Sequence, residues 1–230
     1  MVYSRIFVRR GGDRMGHDAQ YTVGEVADDD GVSAVIRMFH EIADEQSWRP
    51  GSQLLDYARA SVHFAAHVGA SLAGGLQLVP GSSCESLPCE MVWPDVLIPS
   101  RSARAHISIM AVRPEYRGTA QLLWPLCIEM WRYCAAHAIA DISLEVTPST
   151  YKLYLRLGWP LEIIGELRPH WGEECFLAKM GVTDVAGAMV VRAMRSHSYR
   201  HIVAMMGRPL ERPSPLQRTA DFETVLAKVS

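Results

Sequence analysis

The chain has 230 residues, 49% of them hydrophobic and 21% charged, with a formal net charge of −2. That suits one large domain, or one of about 150–180 residues with extensions, and gives no electrostatic reason to expect a nucleic-acid partner. No apolar run reaches the roughly 18–20 residues that span a bilayer, and the N-terminus lacks a signal-peptide core, so a cytoplasmic location is expected. The five cysteines show no C-x-x-C or Cys/His spacing of a zinc site, so no metal is expected. Cys127 and Cys134 fall seven apart on one apolar helix face and read as core thiols.

In chain order, residues 1–20 are rich in Arg and Gly and read as an arm. Tyr21 to Ala27 reads as a first strand. Asp28 to Asp30 supply capping carboxylates for a helix with Val32, Val35, Ile36, Phe39, Ile42 and Ala43 at helical spacing. Arg49 to Gln53 breaks it. Ser61 to Pro80 reads as a hairpin about Val68, Gly69 and Ala70, with His63 and His67 sharing one face as structural or pocket-lining residues. A loop with three prolines, Gly81 to Ser102, follows; loops that long inside a compact domain are often functional.

Ala105 to Val112 reads as a central strand, apolar on nearly both faces. In the next helix, Pro125 either makes a kink or sets a start near Leu123. Asp141 to Thr147 predicts a strand, and the segment after it a short helix ending at Gly158. Leu161 to Leu167 and Glu174 to Met180 read as a closing strand pair. One more helix, capped by Thr183 or Asp184, runs to about Ser198, followed by a proline-containing tail of about 25 residues. The expected organisation is an arm over 1–20, a domain over 21–182, and a helical extension with tail over 183–230. The extension carries seven Lys/Arg against four Asp/Glu. The fold class is α/β, a mixed central sheet with helices on both faces.

Two motifs sharpen this reading. VRPEYRG, Val112 to Gly118, follows the central strand and opens into a helix. LYLRLGW, Leu153 to Trp159, lies on the short helix. With them in this order, the chain resembles the GCN5-related N-acyltransferase (GNAT) superfamily over roughly residues 21–180. That resemblance implies a phosphopantetheine thioester donor, acyl-CoA or acyl carrier protein. Ala111, Val112, Arg113, Arg117, Gly118, Thr119 and Ala120 would hold it, the strand presenting a backbone N–H near Ala111 or Val112 to the thioester oxygen. A helix N-terminus with close backbone approach favours phosphate oxygens. Where the family repeats glycine, this chain has Ala120 and Leu122, and the bulk of Leu122 points away from tight pyrophosphate binding and toward a carrier protein. Tyr154 matches the tyrosine that protonates the leaving thiolate, a role suited to a phenol with an ordinary pKa of about 10; packing of a buried ring is the other reading. The family's asparagine seven residues earlier is Thr147 here.

The first half is also similar to the autoinducer synthases and the N-acyl amino acid synthases. Asp56 and Tyr57 match their aspartate-bearing segment, and Leu78 with Pro80 their hairpin end. Phe39, Trp48, Asp56 and Gln77 would line an acceptor pocket, Gln77 standing where those enzymes carry an arginine. Their strand carboxylate falls at His106 and a following arginine at Ile109, which argues against a sulfonium acceptor and homoserine lactone synthesis. His106 is a candidate general base, or a hydrogen-bonded core histidine, and Glu145 is a second candidate base. The expected activity is transfer of an acyl group to the amine of a small molecule such as an amino acid by direct attack, with a homodimer possible. The alternatives are an acetyl-CoA-dependent N-acetyltransferase of a small molecule or peptide, and an inactive GNAT fold used for binding.

Overall fold

A computed structural model of the chain describes residues 21–98, 100–117 and 122–207. Its seven strands are β1 (Tyr21–Val26), β2 (Val62–Val68), β3 (Ser71–Pro80), β4 (Arg104–Val112), β5 (Asp141–Val146), β6 (Glu162–His170) and β7 (Glu173–Gly181). Its helices are α1 (Asp29–Glu45), α2 (Gln53–Asp56), α3 (Leu123–Ala136), α4 (Pro148–Leu157), α5 (Val182–Ala193) and α6 (His197–Met206). The strands form one mixed sheet in the order β1-β2-β3-β4-β5-β7-β6. Only β4 and β5 run parallel; every other neighbouring pair is antiparallel. The expected α/β fold is therefore present, with helices on both faces.

Local chemistry explains the boundaries. Asp28 caps α1 by accepting the Gly31 N–H at 2.7 Å. Thr147 caps α4, accepting the Thr150 N–H at 3.2 Å, and Gly158 closes that helix at φ +87°. Pro125 makes no kink, because α3 starts at Leu123 and the proline sits in its first turn, where no intrahelical donor is needed. The β6–β7 turn is Trp171 and Gly172, both at positive φ (+53° and +91°). Trp171 tolerates that backbone because its indole packs in a core cluster and donates to Gln53 Oε1 at 2.6 Å.

Three expectations need correction. The helix expected to run to Ser198 is two helices, broken at Met194 to Ser196. Its N-cap is Gly181, not Thr183 or Asp184. The second helix, α6, packs on α3, placing Ile202 and Met206 in the main core. The β6–β7 pair is longer than expected, reaching His170 and Gly181. The proline-containing loop is tied down by two 3-10 turns, Pro88–Met91 and Arg101–Ala103.

The main core lies on one sheet face, under α3, α5 and α6, and includes Leu76, Ile107, Met110, Leu126, Trp131, Leu144 and Met189. Two smaller clusters cover the opposite face. One, under α1, holds Phe39, Trp48, Leu54, Ile109, Ala111 and Trp171. The other packs Leu87, Cys89 and Trp93 of the long loop against Val79, Cys175 and Leu177. Cys127 and Cys134 are buried in the main core, and burial pushes the Cys127 thiol up to about 12 and the Cys134 thiol further in the same direction. No helix among the described residues is long and apolar enough to cross a membrane.

Candidate active site

The ladder between β4 and β5 runs from Arg104–Asp141 to Ile107–Leu144 and goes no further. Both strands continue, β4 to Val112 and β5 to Val146, so a gap opens between them past that rung. The Arg113 N–H donates to Ala73 O at 2.8 Å. Because N–H groups alternate along a strand, Ala111 also turns its N–H to β3, while Met110 and Val112 turn theirs toward the gap. The Val112 carbonyl faces the same way and accepts from Arg117 Nε at 2.7 Å.

A bulge sits at the apex of this gap. Leu78 pairs with Ile107 and Gln77 with Ile109, leaving Ser108 as an extra residue on β4. Before it, Ala105 and Ile107 face the main core; after it, Met110 and Val112 do. Ser108 and Ile109 thus fall consecutively on the opposite face, beyond His106.

Beside the gap that face carries a buried polar cluster. His106 has no solvent exposure and Glu145 only 1%. His106 Nε2 lies 3.1 Å from Glu145 Oε2, and its Nδ1 lies 3.0 Å from Ser143 Oγ. Ser143 donates onward to Ala105 O at 3.3 Å and stands 3.9 Å from Cys89 Sγ. His170, at the end of β6, places Nε2 3.9 Å from Glu145 Oε1. Burial opposes charge on both members of the inner pair, and their mutual attraction outweighs it. His106 is raised to about 10 and Glu145 is lowered to about 2, so at neutral pH they form an imidazolium–carboxylate pair. Burial outweighs the pull of Glu145 on His170, which falls to about 4 and is neutral. The two candidate bases read separately from the sequence are one unit in the structure.

Tyr154 lies across the sheet in the main core, edge-on to Trp159 at 6.2 Å. Trp159 stacks on Trp124 of α3 at 5.4 Å, which fixes α4 against the helix that follows the gap. Arg113 and Arg117 are held by α1, through Glu41 at 2.8 Å and Glu45 at 3.3 Å. Gly118, Thr119 and Ala120 lie outside the described residues. Leu122 is buried in the main core, so its side chain points inward.

Of the expected acceptor residues, Phe39 and Trp48 are buried together under α1. Gln77 is buried on β3 and donates Nε2 to Leu54 O at 3.1 Å. Asp56 is exposed and accepts from Ser52 Oγ at 2.6 Å. Sequence reasoning did not single out Ser108, Ser143 or His170. Ser143 carried a signal, since the alternation of Asp141 to Thr147 puts it on the Glu145 face. His170 carried none, being brought in by the β6–β7 turn. Among the described residues no group of three His, Cys, Asp or Glu could hold a metal ion.

The family described as N-acyl amino acid synthase FeeM matches over residues 41–173. Among solved structures, the chain is similar to FeeM, an N-acyl amino acid synthase from uncultured soil microbes. The TM-score is 0.63 at 14% identity, covering 77% of this chain and 99% of that one. It is similar to BjaI, a CoA-dependent acyl-homoserine lactone synthase with SAM and isopentyl-CoA, at TM-score 0.60 and 15% identity, covering 90% and 100%. The acyl-homoserine lactone synthase LasI follows at TM-score 0.55 and 12% identity, covering 74% and 95%. No curated protein matches.

Proposed function

Because the chain belongs to the N-acyl amino acid synthase FeeM family and is an acyltransferase of GNAT-like fold, we propose that it moves an acyl group from a phosphopantetheine thioester to the amine of a small molecule such as an amino acid, by direct attack. The observation that carries this is the parting of β4 and β5 just past Ile107 and Leu144, with ionised Glu145 at its apex. Membership in a family of synthases sets aside the expectation of a non-catalytic binding fold.

The thioester lies in the gap, its carbonyl oxygen toward the Val112 N–H, which the strand alternation aims there; a preorganised donor stabilises the oxyanion as it forms. The amine approaches on the α1 face, where Glu145 stands. The amine attacks as the free base, its ammonium proton already lost to solvent; as its nitrogen bonds to the carbonyl carbon and becomes cationic, the Glu145 carboxylate attracts that charge, and the proton it sheds is passed on to solvent rather than kept. His106 keeps Glu145 ionised and oriented. Tyr154, on the α3 face, protonates the departing thiolate. Acid and base thus stand on opposite faces of one sheet, joined through the gap. Arg113, Arg117 and the loop from Gly118 to Ala120 hold the donor's phosphates, exchanging the α1 glutamates for them. An acyl carrier protein would present the same pantetheine arm.

The inward-facing Leu122 favours a second reading of the donor, in which CoA itself is bound, acetyl-CoA included. Thiol release with acetyl-CoA, decanoyl-CoA and decanoyl-carrier protein, each with a mixed amino acid pool and mass identification of products, separates these. Turnover with long chains but not acetyl-CoA is the expected result. Turnover with acetyl-CoA alone would replace it with an acetyltransferase.

A further inference from the structure

Ser143 on β5 takes no part in the steps proposed above, yet its hydroxyl stands in the middle of the buried cluster. It lies between three groups, His106 Nδ1 at 3.0 Å, Ala105 O at 3.3 Å and Cys89 Sγ at 3.9 Å. A hydroxyl has one proton to give and two lone pairs to receive with. The proton goes to Ala105 O, a carbonyl that can only accept. The lone pairs are left for His106 and for the weak S–H of Cys89. Nδ1 is therefore a donor and carries a proton. On the far side of the ring, Nε2 faces Glu145 Oε2 at 3.1 Å. A neutral imidazole protonated on Nδ1 would turn a bare lone pair on a carboxylate, and both groups are buried. A second proton, on Nε2, turns that repulsion into an ion pair.

We propose that Ser143 is a positioning residue for the reaction: by taking the Nδ1 proton it fixes the direction and tautomer of the His106 ring, and through that ring the Glu145 carboxylate that meets the amine. An alanine at this place would let a single ring proton move to Nε2, where it still reaches Glu145, and the second proton would no longer be needed. Glu145 would then hold its charge in a buried site against a neutral partner, and its carboxylate would protonate more readily. The other groups around the ring do not replace Ser143. From the 3-10 turn Pro88–Met91 comes Cys89, whose sulfur is a weak acceptor. His170 on β6 is neutral and turns to Glu145 Oε1 at 3.9 Å. Cys175 on β7 is a thiol that burial pushes up to about 11. Nearby on the sheet, Arg104 is paired with Asp141 at 3.2 Å and Lys179 with Glu162 at 3.1 Å. Burial opposes a charge on His106 and Glu145 outweighs it, and the resulting value of about 10 fits a ring that holds both protons.

This rests on the acyltransferase reading of the gap, and the experiment separates the two. The full-length protein labelled with ¹⁵N-histidine is titrated by NMR, which tells a doubly protonated ring from a neutral one and needs no substrate. At about pH 8 the wild type shows a ring protonated on both nitrogens. Ser143→Ala, which removes only an oxygen, shows that ring neutral or with its midpoint lowered by roughly one to two pH units, the equivalent of one hydrogen bond to a charged group. Ser143→Thr keeps the hydroxyl on a residue suited to a strand, and it restores the signal. In thiol release with decanoyl-CoA and a mixed amino acid pool, Ser143→Ala lowers kcat roughly 10-fold with KM for the thioester unchanged, and Ser143→Thr recovers the rate. A wild type without a doubly protonated ring, a Ser143→Ala protein that keeps the wild-type midpoint, or one that keeps the wild-type kcat would overturn the proposal. Loss of the signal in Ser143→Ala, with no acylated product from the wild type, would uphold the grip of Ser143 on His106 and sink the acyl-transfer reading. Acylated product from the wild type, with identical titrations in both proteins, would do the reverse.

Discussion

Toward α3, strands β4 and β5 present Ala105, Ile107, Met110, Val112, Ile142, Leu144 and Val146, all apolar and all in the main core. Toward α1, the same strands present Ile109 and Ala111 together with His106, Ser108, Ser143 and Glu145, the last four buried and polar. The first face resembles any sheet packed on helices. The second pays a desolvation cost on four groups and recovers it through one ion pair and a short hydrogen-bond chain. A protein that needed only a stable sheet would do better with aliphatic residues on both sides. On the proposed function, the polar face is kept for what it does to a ligand, and the two faces should separate under mutation.

The largest expected effect is on catalysis. Glu145→Gln keeps the shape but removes the charge, and kcat/KM for amine acylation falls roughly 100- to 10,000-fold, measured by thiol release. On stability, Glu145→Ala strands His106 without its partner and costs about 3–5 kcal/mol in urea unfolding. Leu126→Ala on the other face costs a similar 2–5 kcal/mol by opening a cavity, yet the folded fraction keeps its kcat. Equal loss of activity per folded molecule in both variants would abolish the distinction between the faces.

Tyr154→Phe is expected to lower kcat about 10- to 100-fold with a decanoyl-CoA donor. An aryl thioester, whose thiolate leaves without a proton, recovers most of the rate. No recovery would return Tyr154 to a packing role.

The pH dependence of stability is a smaller but diagnostic effect. The folded value of His106 is raised, so its contribution is complete below about 6.5 and is lost as pH rises toward about 10. That of Glu145 is lowered, so its contribution is complete above about 4.5 and is lost as pH falls toward about 2. Urea midpoints should peak between these limits, and the double variant His106→Leu with Glu145→Leu should flatten the alkaline side. The smallest expected effect is at Arg117, proposed to meet the donor's phosphates. Arg117→Ala raises KM for acyl-CoA several-fold and leaves kcat nearly unchanged, as befits an exposed contact already shared with Glu45.

Much of this was legible in the sequence. The strands and helices of the domain follow from periodicity, Asp28 and Gly158; His106 and Glu145 stood out by type and place, and Tyr154 through the resemblance its motif carries. What escaped was set by tertiary packing. The second C-terminal helix has a polar, histidine-bearing start and earns its place by seating Ile202 and Met206 on α3. His170 reaches Glu145 through a turn in which a tryptophan takes a positive φ, a conformation no pattern announces. The ion pair joins residues 39 positions apart on parallel strands, and its pairing is a property of register. Leu122 was read by size alone, while its direction, inward, is given only by the fold.

The bulge at Ser108 also works as a frameshift in the alternation of β4. Upstream of it the odd-numbered positions read into the main core; downstream the even-numbered ones do. Deleting that single residue would restore strict alternation and leave every other side chain of β4 on its present face, so what it would remove is the local bend and twist that the bulge gives the strand. A lone missing codon at a regularly paired position of β4, such as Ile107, would be the damaging one, because half of the strand would then be correct in identity and wrong in direction.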